Sequence, residues 1–379
     1  MRKDGFVKRV VLFVVGTRPE VIKTARLIHE LKISSDVSIK LCLTGQHTDL
    51  VEQVLQDFGL VPDITLDLMT ENQTLSELTS RLTLALSFVM KEMIPDLVVV
   101  QGDTTSAFVG ALTAFYANIP VAHVEAGLRT ETIRTPFPEE LNRRIISQIA
   151  QINLAPTESA KRNLLNSGVP QERIWVTGNT GIDALLWMKK KIQISQIPNT
   201  YSSSNILNGK NQKVLVTVHR RESHGQALIE ICEGIRIFLR ENSGAQVTLP
   251  VHPNPNVSST VQRMLGDVER CNLVKPLGYQ DFIREMMSCD VILTDSGGIQ
   301  EEAPYLGKRT LVIRESTERI ESVDLGYAKL VPIDAFSISI ALRKSLLNQT
   351  EVEIGEPYGT GDSSIGIAKI LIDSMGIEK

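Results

Sequence analysis

The chain has 379 residues, 42% hydrophobic and 22% charged, with a formal net charge of −4. At about 150 residues per domain this length predicts two or three domains, and the composition excludes a disordered, collagen-like or disulfide-stapled chain. The balance is slightly acidic and lacks the basic stripe of a nucleic-acid binder. The longest apolar strand run, Val10–Val15, is far shorter than the ~18 residues of a membrane span, so no membrane partner is expected.

The first five residues, Met1 to Gly5, carry no secretory pattern, and the expected location is cytoplasmic. Cys42, Cys232, Cys271 and Cys289 are widely spaced, which reads as reduced, buried thiols. The histidines form neither H-E-x-x-H nor a Cys/His cluster, and no metal site is expected.

Taken in chain order, β-branched apolar runs alternate with amphipathic stretches, the pattern of a parallel α/β sheet. Strands are predicted at Val10–Val15, Ile39–Thr44, Leu97–Gln101, Val121–Val124, Ile152–Ala155 and Ile174–Thr177. Helices are predicted between them at Val21–Leu31, Thr48–Phe58, Leu75–Met93 and Glu139–Ile149. A second series of strands follows at Val214–Val218, Val247–Val251, Leu273–Pro276, Val291–Thr294, Thr310–Ile313 and Lys329–Pro332. The polar stretch from Ile192 to Lys213 separates the two series, and the crossover itself is expected near Gly178-Asn179-Thr180-Gly181. The expected fold class is α/β, with two doubly wound, Rossmann-like domains and a cleft between them.

Ligands of open α/β sheets bind beyond the carboxyl ends of the strands, and polar clusters stand at just those positions. Gly16-Thr17-Arg18-Pro19-Glu20 follows the first strand and puts Arg18 at a helix start, where an anion is favoured. Gln101-Gly102-Asp103-Thr104-Thr105 and His123-Val124-Glu125-Ala126-Gly127-Leu128-Arg129 each deliver a carboxylate. Pro138-Glu139-Glu140 opens a helix. In the second series, His219-Arg220-Arg221-Glu222-Ser223 brings an imidazole and two guanidinium groups to one strand tip. Asp295-Ser296-Gly297-Gly298 lets backbone approach a phosphate.

A G-x-G-x-x-G fingerprint, a P-loop and a G-x-S-x-G elbow are all missing, which argues against a tightly held nicotinamide dinucleotide. The residues by themselves point to an enzyme that binds a phosphorylated small molecule and uses carboxylates, His and Arg.

Those clusters, with Glu301-Glu302-Ala303-Pro304 and Thr317-Glu318-Arg319, resemble the UDP-N-acetylglucosamine 2-epimerase family, most closely its non-hydrolysing type, in order over nearly the whole chain. The resemblance implies a glycosyltransferase-B-like architecture. The first domain would span residues 1–177 and be completed by a C-terminal helix, 362–379; a UDP-binding domain would span 178–361. It implies a cytoplasmic homodimer that needs no redox cofactor and acts on a UDP-aminosugar. By motif, Asp103, Glu125, Glu139 and His219 would be catalytic. Arg18, Lys23, Phe282, Ser296, Gly297, Gly298, Glu302 and Arg319 would bind substrate. Phosphates would fall to Arg18 and the Ser-Gly-Gly turn, uracil to Phe282 and ribose to Glu302.

Gln46 and His47 match part of an allosteric site for UDP-N-acetylglucosamine. The chain departs from that site's arginines at Thr48 and at Asn72, and Ile320 replaces the usual proline after Thr317-Glu318-Arg319. The departures keep three outcomes open: epimerisation to the UDP-sugar, hydrolysis to the free sugar and UDP, and action on another UDP-aminosugar. A glycosyltransferase of the same fold is the weaker alternative.

Overall fold

The structure, a computed structural model, describes residues 8–45, 49–68, 70, 73–195, 212–220, 223–315, 317, 319–347 and 354–377. The chain divides into two compact units, Met1–Trp187 with Tyr358–Lys379, and Met188–Pro357. That division falls at 187/188 and 357/358, against the expected 177/178 and 361/362. Among the described residues no helix is long and apolar enough to cross a membrane.

The first unit runs β1 (Arg9–Val15), α1 (Arg18–Lys32), β2 (Val37–Leu43), α2 (Asp49–Asp57), β3 (Ile64–Thr65) and α3 (Leu75–Met93). It continues with β4 (Leu97–Gln101), α4 (Thr105–Tyr116), β5 (Val121–Val124), α5 (Glu139–Ile149), β6 (Ile152–Ala155), α6 (Glu158–Asn166) and β7 (Ile174–Val176). Helix α7 (Thr180–Ser195) straddles the division.

The strands form one parallel sheet in the order β3-β2-β1-β4-β5-β6-β7. Helices cover both faces of such a sheet, so its central strands bury side chains on both sides, and alternation gives way to continuous apolar runs. Val11 to Val15 and Leu97 to Val100 accordingly have almost no exposed surface. Leu12, Val14, Val98 and Val100 pack with Leu82 and Leu86 of α3 and Val109 of α4. Local signals fix the helix starts: α3 opens on a Thr74–Glu77 capping box, and Thr104 caps α4 through Ala107 N.

The second unit begins with β8 (Gln212–Thr217), α8 (Gln226–Glu241), β9 (Ala245–Pro250), α9 (Pro255–Leu265), β10 (Cys271–Val274) and α10 (Tyr279–Ser288). It then runs β11 (Val291–Thr294), α11 (Gly297–Glu302), β12 (Arg309–Val312), α12 (Ile320–Asp324), β13 (Ala328–Leu330) and α13 (Ala335–Leu347). These strands form a second parallel sheet in the order β10-β9-β8-β11-β12-β13. Its core joins Val214, Val216 and Leu293 to Ile235 and Phe238 of α8 and Ile338 and Leu342 of α13.

The last helix, α14 (Ser363–Ser374), belongs to the first unit and packs on α1. Asp183 of α7 accepts the backbone N–H groups of Ser363 and Ser364 at its start, satisfying two donors that a helix leaves open.

Both sheets reverse their strand order once, between β1 and β4 in the first and between β8 and β11 in the second. The carboxyl ends flanking such a reversal open a crevice, because the connections leave them in opposite directions. The short strand β3 lies outside the predicted set. Its two residues are too few to show a period.

Candidate active site

In the first unit, the loops after β1, β4 and β5 converge at the reversal point. Glu125 follows β5 with a left-handed backbone, φ 65°, a conformation that costs a non-glycine residue about 1–2 kcal/mol. Its Oε2 accepts from Lys23 Nζ of α1 at 2.5 Å and also from Gln101 Nε2 at the end of β4. Gly127, two residues on, has φ 93°, and a Cβ there would lie 2.3 Å from the Ala160 carbonyl. The turn that presents Glu125 therefore requires glycine at this position.

Asp103 sits in the turn after β4 and is gripped from α5. Arg143 donates through Nη2 to its Oδ2 at 2.6 Å, and Asn142 donates to its backbone carbonyl at 2.8 Å. Burial raises the Asp103 carboxyl above the usual range; the positive charges of Arg143 and Lys23 oppose this, and the negative charge of Glu139 adds to it. Glu139 and Lys23 thus both lie within electrostatic reach of Asp103, and Lys23 reaches Glu125 directly. Glu140, fully buried beside Glu139, is held by Arg144 Nε at 2.6 Å and Arg143 Nη1 at 3.3 Å.

His123 of β5 is wholly buried, and burial pushes its imidazole down to about 4. The neutral ring donates from Nε2 to the Gly102 carbonyl at 2.7 Å, which supports the Asp103 turn. Arg18 stands at the first position of α1, after the extended Thr17 cap. Glu20, two residues further, is buried and touches both turns. Its Oε2 accepts from Gly16 N at 3.1 Å and its Oε1 from the Thr104 hydroxyl at 2.7 Å. Burial pushes this carboxyl up to about 7, against hydrogen bonds from Thr17, Thr104 and Gly16.

The second unit repeats the plan at β8 and β11. Asp295, without exposed surface, accepts from the backbone N–H groups of His219 and Arg220 at 3.0 and 2.9 Å and from the Ser223 hydroxyl at 2.8 Å. Its Oδ1 lies 3.0 Å from His219 Nδ1. Burial alone would raise this carboxyl; the hydrogen bonds and charge of His219, with Arg220 and Ser223, outweigh it and hold Asp295 below the usual carboxylate range. With Nδ1 turned to a carboxylate, Nε2 of the half-exposed His219 ring is the nitrogen left for proton transfer.

Ser296 precedes α11 at the N-cap position without a side-chain cap hydrogen bond, and Gly297 begins the helix. A Cβ on Gly297 would press on the Arg319 guanidinium at 3.0 Å, while Arg319 Nε donates to Glu301 at 2.9 Å. Arg319, expected to reach substrate, is thus in ion-pair contact with the helix that carries the Ser-Gly-Gly turn. Gly298 has open space where a side chain would be, since a Cβ would come no closer than 3.9 Å to Ser296 Oγ. Phe282 on α10 and Glu302 at the end of α11 are both partly buried.

Comparison with known proteins identifies the family and the fold. A sequence-family model described as UDP-N-acetylglucosamine 2-epimerase matches residues 29–372. The chain belongs to the UDP-N-acetylglucosamine 2-epimerase family. A curated relative of that name from Salmonella typhimurium is 43% identical over 367 residues, covering 95% of this chain and 98% of its own. The crystal structure of the Neisseria meningitidis UDP-GlcNAc 2-epimerase bound to UDP-GlcNAc superposes with a TM-score of 0.89 at 39% identity, covering 97% of this chain and all of that one. The fold extends to a glycosyltransferase structure, that of kitacinnamycin, at TM-score 0.59 and 11% identity over 97% of this chain. The two-sheet architecture is therefore glycosyltransferase-B-like, as the motifs imply.

Measured against the family's motif residues, the first unit brings Asp103, Glu125, Lys23 and Glu139 together, and the second gathers His219 with Ser296 and Gly297 around Asp295. Gln46 and His47, the expected allosteric pair, lie outside the described residues, as do Asn72, Arg221, Glu222 and Glu318. Asp295, Glu20, Asn142 and Arg143 received no role from the sequence. For Arg143 a signal existed: it follows Glu139 by four residues, so both lie on one helix face. The four cysteines are free, and burial pushes the thiols of Cys42, Cys232 and Cys289 up to about 12 and that of Cys271 to about 11.

Proposed function

We propose that this chain interconverts UDP-GlcNAc and UDP-ManNAc by inverting C2 of the sugar. The observation that carries the proposal is the convergence of Asp103, Glu125 and Glu139, with Lys23 and Arg143, at the strand ends of a member of this family. A C2 proton with no adjacent carbonyl is too weakly acidic for direct removal. If the C1–O bond to UDP breaks first, positive charge develops at C1 and the C2 proton becomes removable. A carboxylate takes it, the C1–C2 double bond forms, and 2-acetamidoglucal and UDP result. In the return step the diphosphate oxygen adds to C1 while a proton is delivered to the opposite face of C2.

Each step needs a proton acceptor or donor on one face, and paired carboxylates with different surroundings supply them. Asp103, buried and raised, and Glu125, held by an ammonium group, differ in that way. His219, oriented by Asp295, assists departure of the diphosphate. In the second unit Ser296, Gly297 and Gly298 hold its oxygens, Phe282 packs on uracil, Glu302 accepts from ribose, and Arg319 steadies the Ser-Gly-Gly turn; in the first unit Arg18 is the anion-binding side chain.

Hydrolysis is the second reading, favoured by Thr48 and Asn72, which stand where the family's activator site has arginine. Incubation with UDP-GlcNAc in deuterated water, followed by NMR, separates the two. UDP-ManNAc carrying deuterium at C2 supports epimerisation, whereas free ManNAc with UDP supports hydrolysis. No turnover of UDP-GlcNAc would sink both.

A further inference from the structure

Glu20 is a buried ionisable group that the mechanism above does not use, and it joins the two turns that carry Arg18 and Asp103. Gly16, immediately after β1, is packed so tightly that a Cβ would meet Ser106 Oγ at 2.3 Å and Thr44 Oγ1 at 2.8 Å. Its N–H donates to Glu20 Oε2, and the Thr104 hydroxyl donates to Glu20 Oε1. The same Thr104 oxygen accepts from Ala107 N at 3.1 Å, so the cap of α4 and the Glu20 contact share one atom. One carboxylate therefore spans the turn before α1 and the turn before α4, on either side of the strand reversal.

We propose that Glu20 is a positioning residue: its carboxylate fixes the Arg18 turn and the Asp103 turn in register, and loses that hold on protonation. The proposal rests on the function given above. All of its bonded partners are donors, namely the Gly16 and Thr17 N–H groups and the Thr17 and Thr104 hydroxyls. A carboxylate can accept from all of them, whereas a carboxylic acid turns one oxygen into a donor; a Thr hydroxyl can reverse to accept from it, but a backbone N–H on that oxygen is displaced. These partners are neutral, as are Thr44 and Ser106 beyond Gly16. The charged and titratable side chains on the same two segments are Arg18, Lys23, Arg26, His29, Glu30 and Lys32 on α1 and Asp103 before α4. Because burial places the midpoint near neutrality, both forms are populated in the range where the enzyme would work.

The variant Glu20→Gln keeps the shape but imitates the protonated form at every pH. In wild type, kcat for UDP-GlcNAc should rise with pH through an inflection near neutrality; in E20Q that inflection should be missing. At pH 8, E20Q should show a kcat lowered by about tenfold, the size of one lost hydrogen bond to a charged group, with KM changed much less. Its melting temperature relative to wild type should climb between pH 5 and pH 8, since wild type must ionise a buried acid over that range. Thr104→Ser, which keeps the hydroxyl, should retain the wild-type pH profile.

An E20Q enzyme with wild-type kcat and an unchanged pH profile would overturn the proposal, and so would a melting-temperature difference that is flat with pH. If wild type fails to turn over UDP-GlcNAc, the proposed function falls. A carboxyl-carbon NMR titration, comparing glutamate-labelled wild type with E20Q, then decides the inference separately: a Glu20 resonance titrating near 4.5 overturns it, and one titrating near neutrality supports it.

Discussion

His219 Nδ1 lies 3.0 Å from Asp295 Oδ1, and that carboxylate has no exposed surface. The pair spans the strand reversal of the second unit, with His219 after β8 and Asp295 after β11. Asp295 fixes which ring nitrogen carries the proton. Asp295→Asn preserves volume but can offer an N–H to Nδ1, which favours the opposite tautomer. Turnover of UDP-GlcNAc should fall by about 100-fold, with the circular dichroism spectrum unchanged. A wild-type rate would remove the pair from the mechanism.

Asp103→Asn and Glu125→Gln should each lower turnover by at least ~100-fold, the usual cost of losing a general acid or base. UDP affinity, measured by calorimetry, should survive both changes, because the proposed diphosphate contacts lie mainly on the second unit. Equal loss of binding and rate would mark the residues as ligands instead.

Arg143→Gln removes the larger of the two positive charges that oppose the raised Asp103 carboxyl, so the Asp103 titration should move further up in pH. Its effect on rate should depend on Asp103. In a double-mutant cycle, adding Arg143→Gln to Asp103→Asn should cost far less than in wild type. Full additivity would separate the two residues.

Gly127→Ala places a Cβ against the Ala160 carbonyl at a positive φ. Urea unfolding should show a loss of about 2–4 kcal/mol, from backbone strain together with a contact that backbone atoms cannot relieve. An unchanged midpoint would mean that the turn after Glu125 is free to relax.

His123 is held neutral, its imidazole pushed from 6.5 down to about 4. The unfolded chain binds this proton below about pH 6.5 and the native chain does not, so the stabilisation is full above that pH and is lost as pH falls towards 4. The ceiling is on the order of 3 kcal/mol. Glu20 acts in the opposite direction between about 4.5 and 7, gaining stability as pH falls, so wild type shows only the difference. His123→Gln, whose amide can still donate to the Gly102 carbonyl, should lose less stability on acidification than wild type in pH-resolved thermal melts. Parallel curves would refute the assignment.

Much of the sheet was legible because parallel strands buried on both faces must be apolar throughout. Leu97–Gln101, Val121–Val124, Ile152–Ala155 and Val291–Thr294 coincide with strands in the structure. Elsewhere the ends shift by one or two residues, as at β2 and β10, where pairing rather than hydrophobicity sets the last bond. The same logic located the polar clusters at strand ends. Arg143 went unnoticed because a basic residue on an amphipathic helix normally faces solvent; here the helix turns it towards Asp103. Asp295 was visible within its motif, but nothing local marks a carboxylate as the acceptor for three donors on another strand's loop.

The sequence by itself determined the parallel α/β class and the resemblance that names the family, because hydrophobic period and short motifs are properties of neighbouring residues. Only the tertiary structure decided which charged side chains meet. Lys23 lies 102 positions from Glu125 and Arg143 lies 40 from Asp103. Those pairings depend on strand order, and strand order is fixed by how whole helices pack over a sheet rather than by anything within reach of a local window.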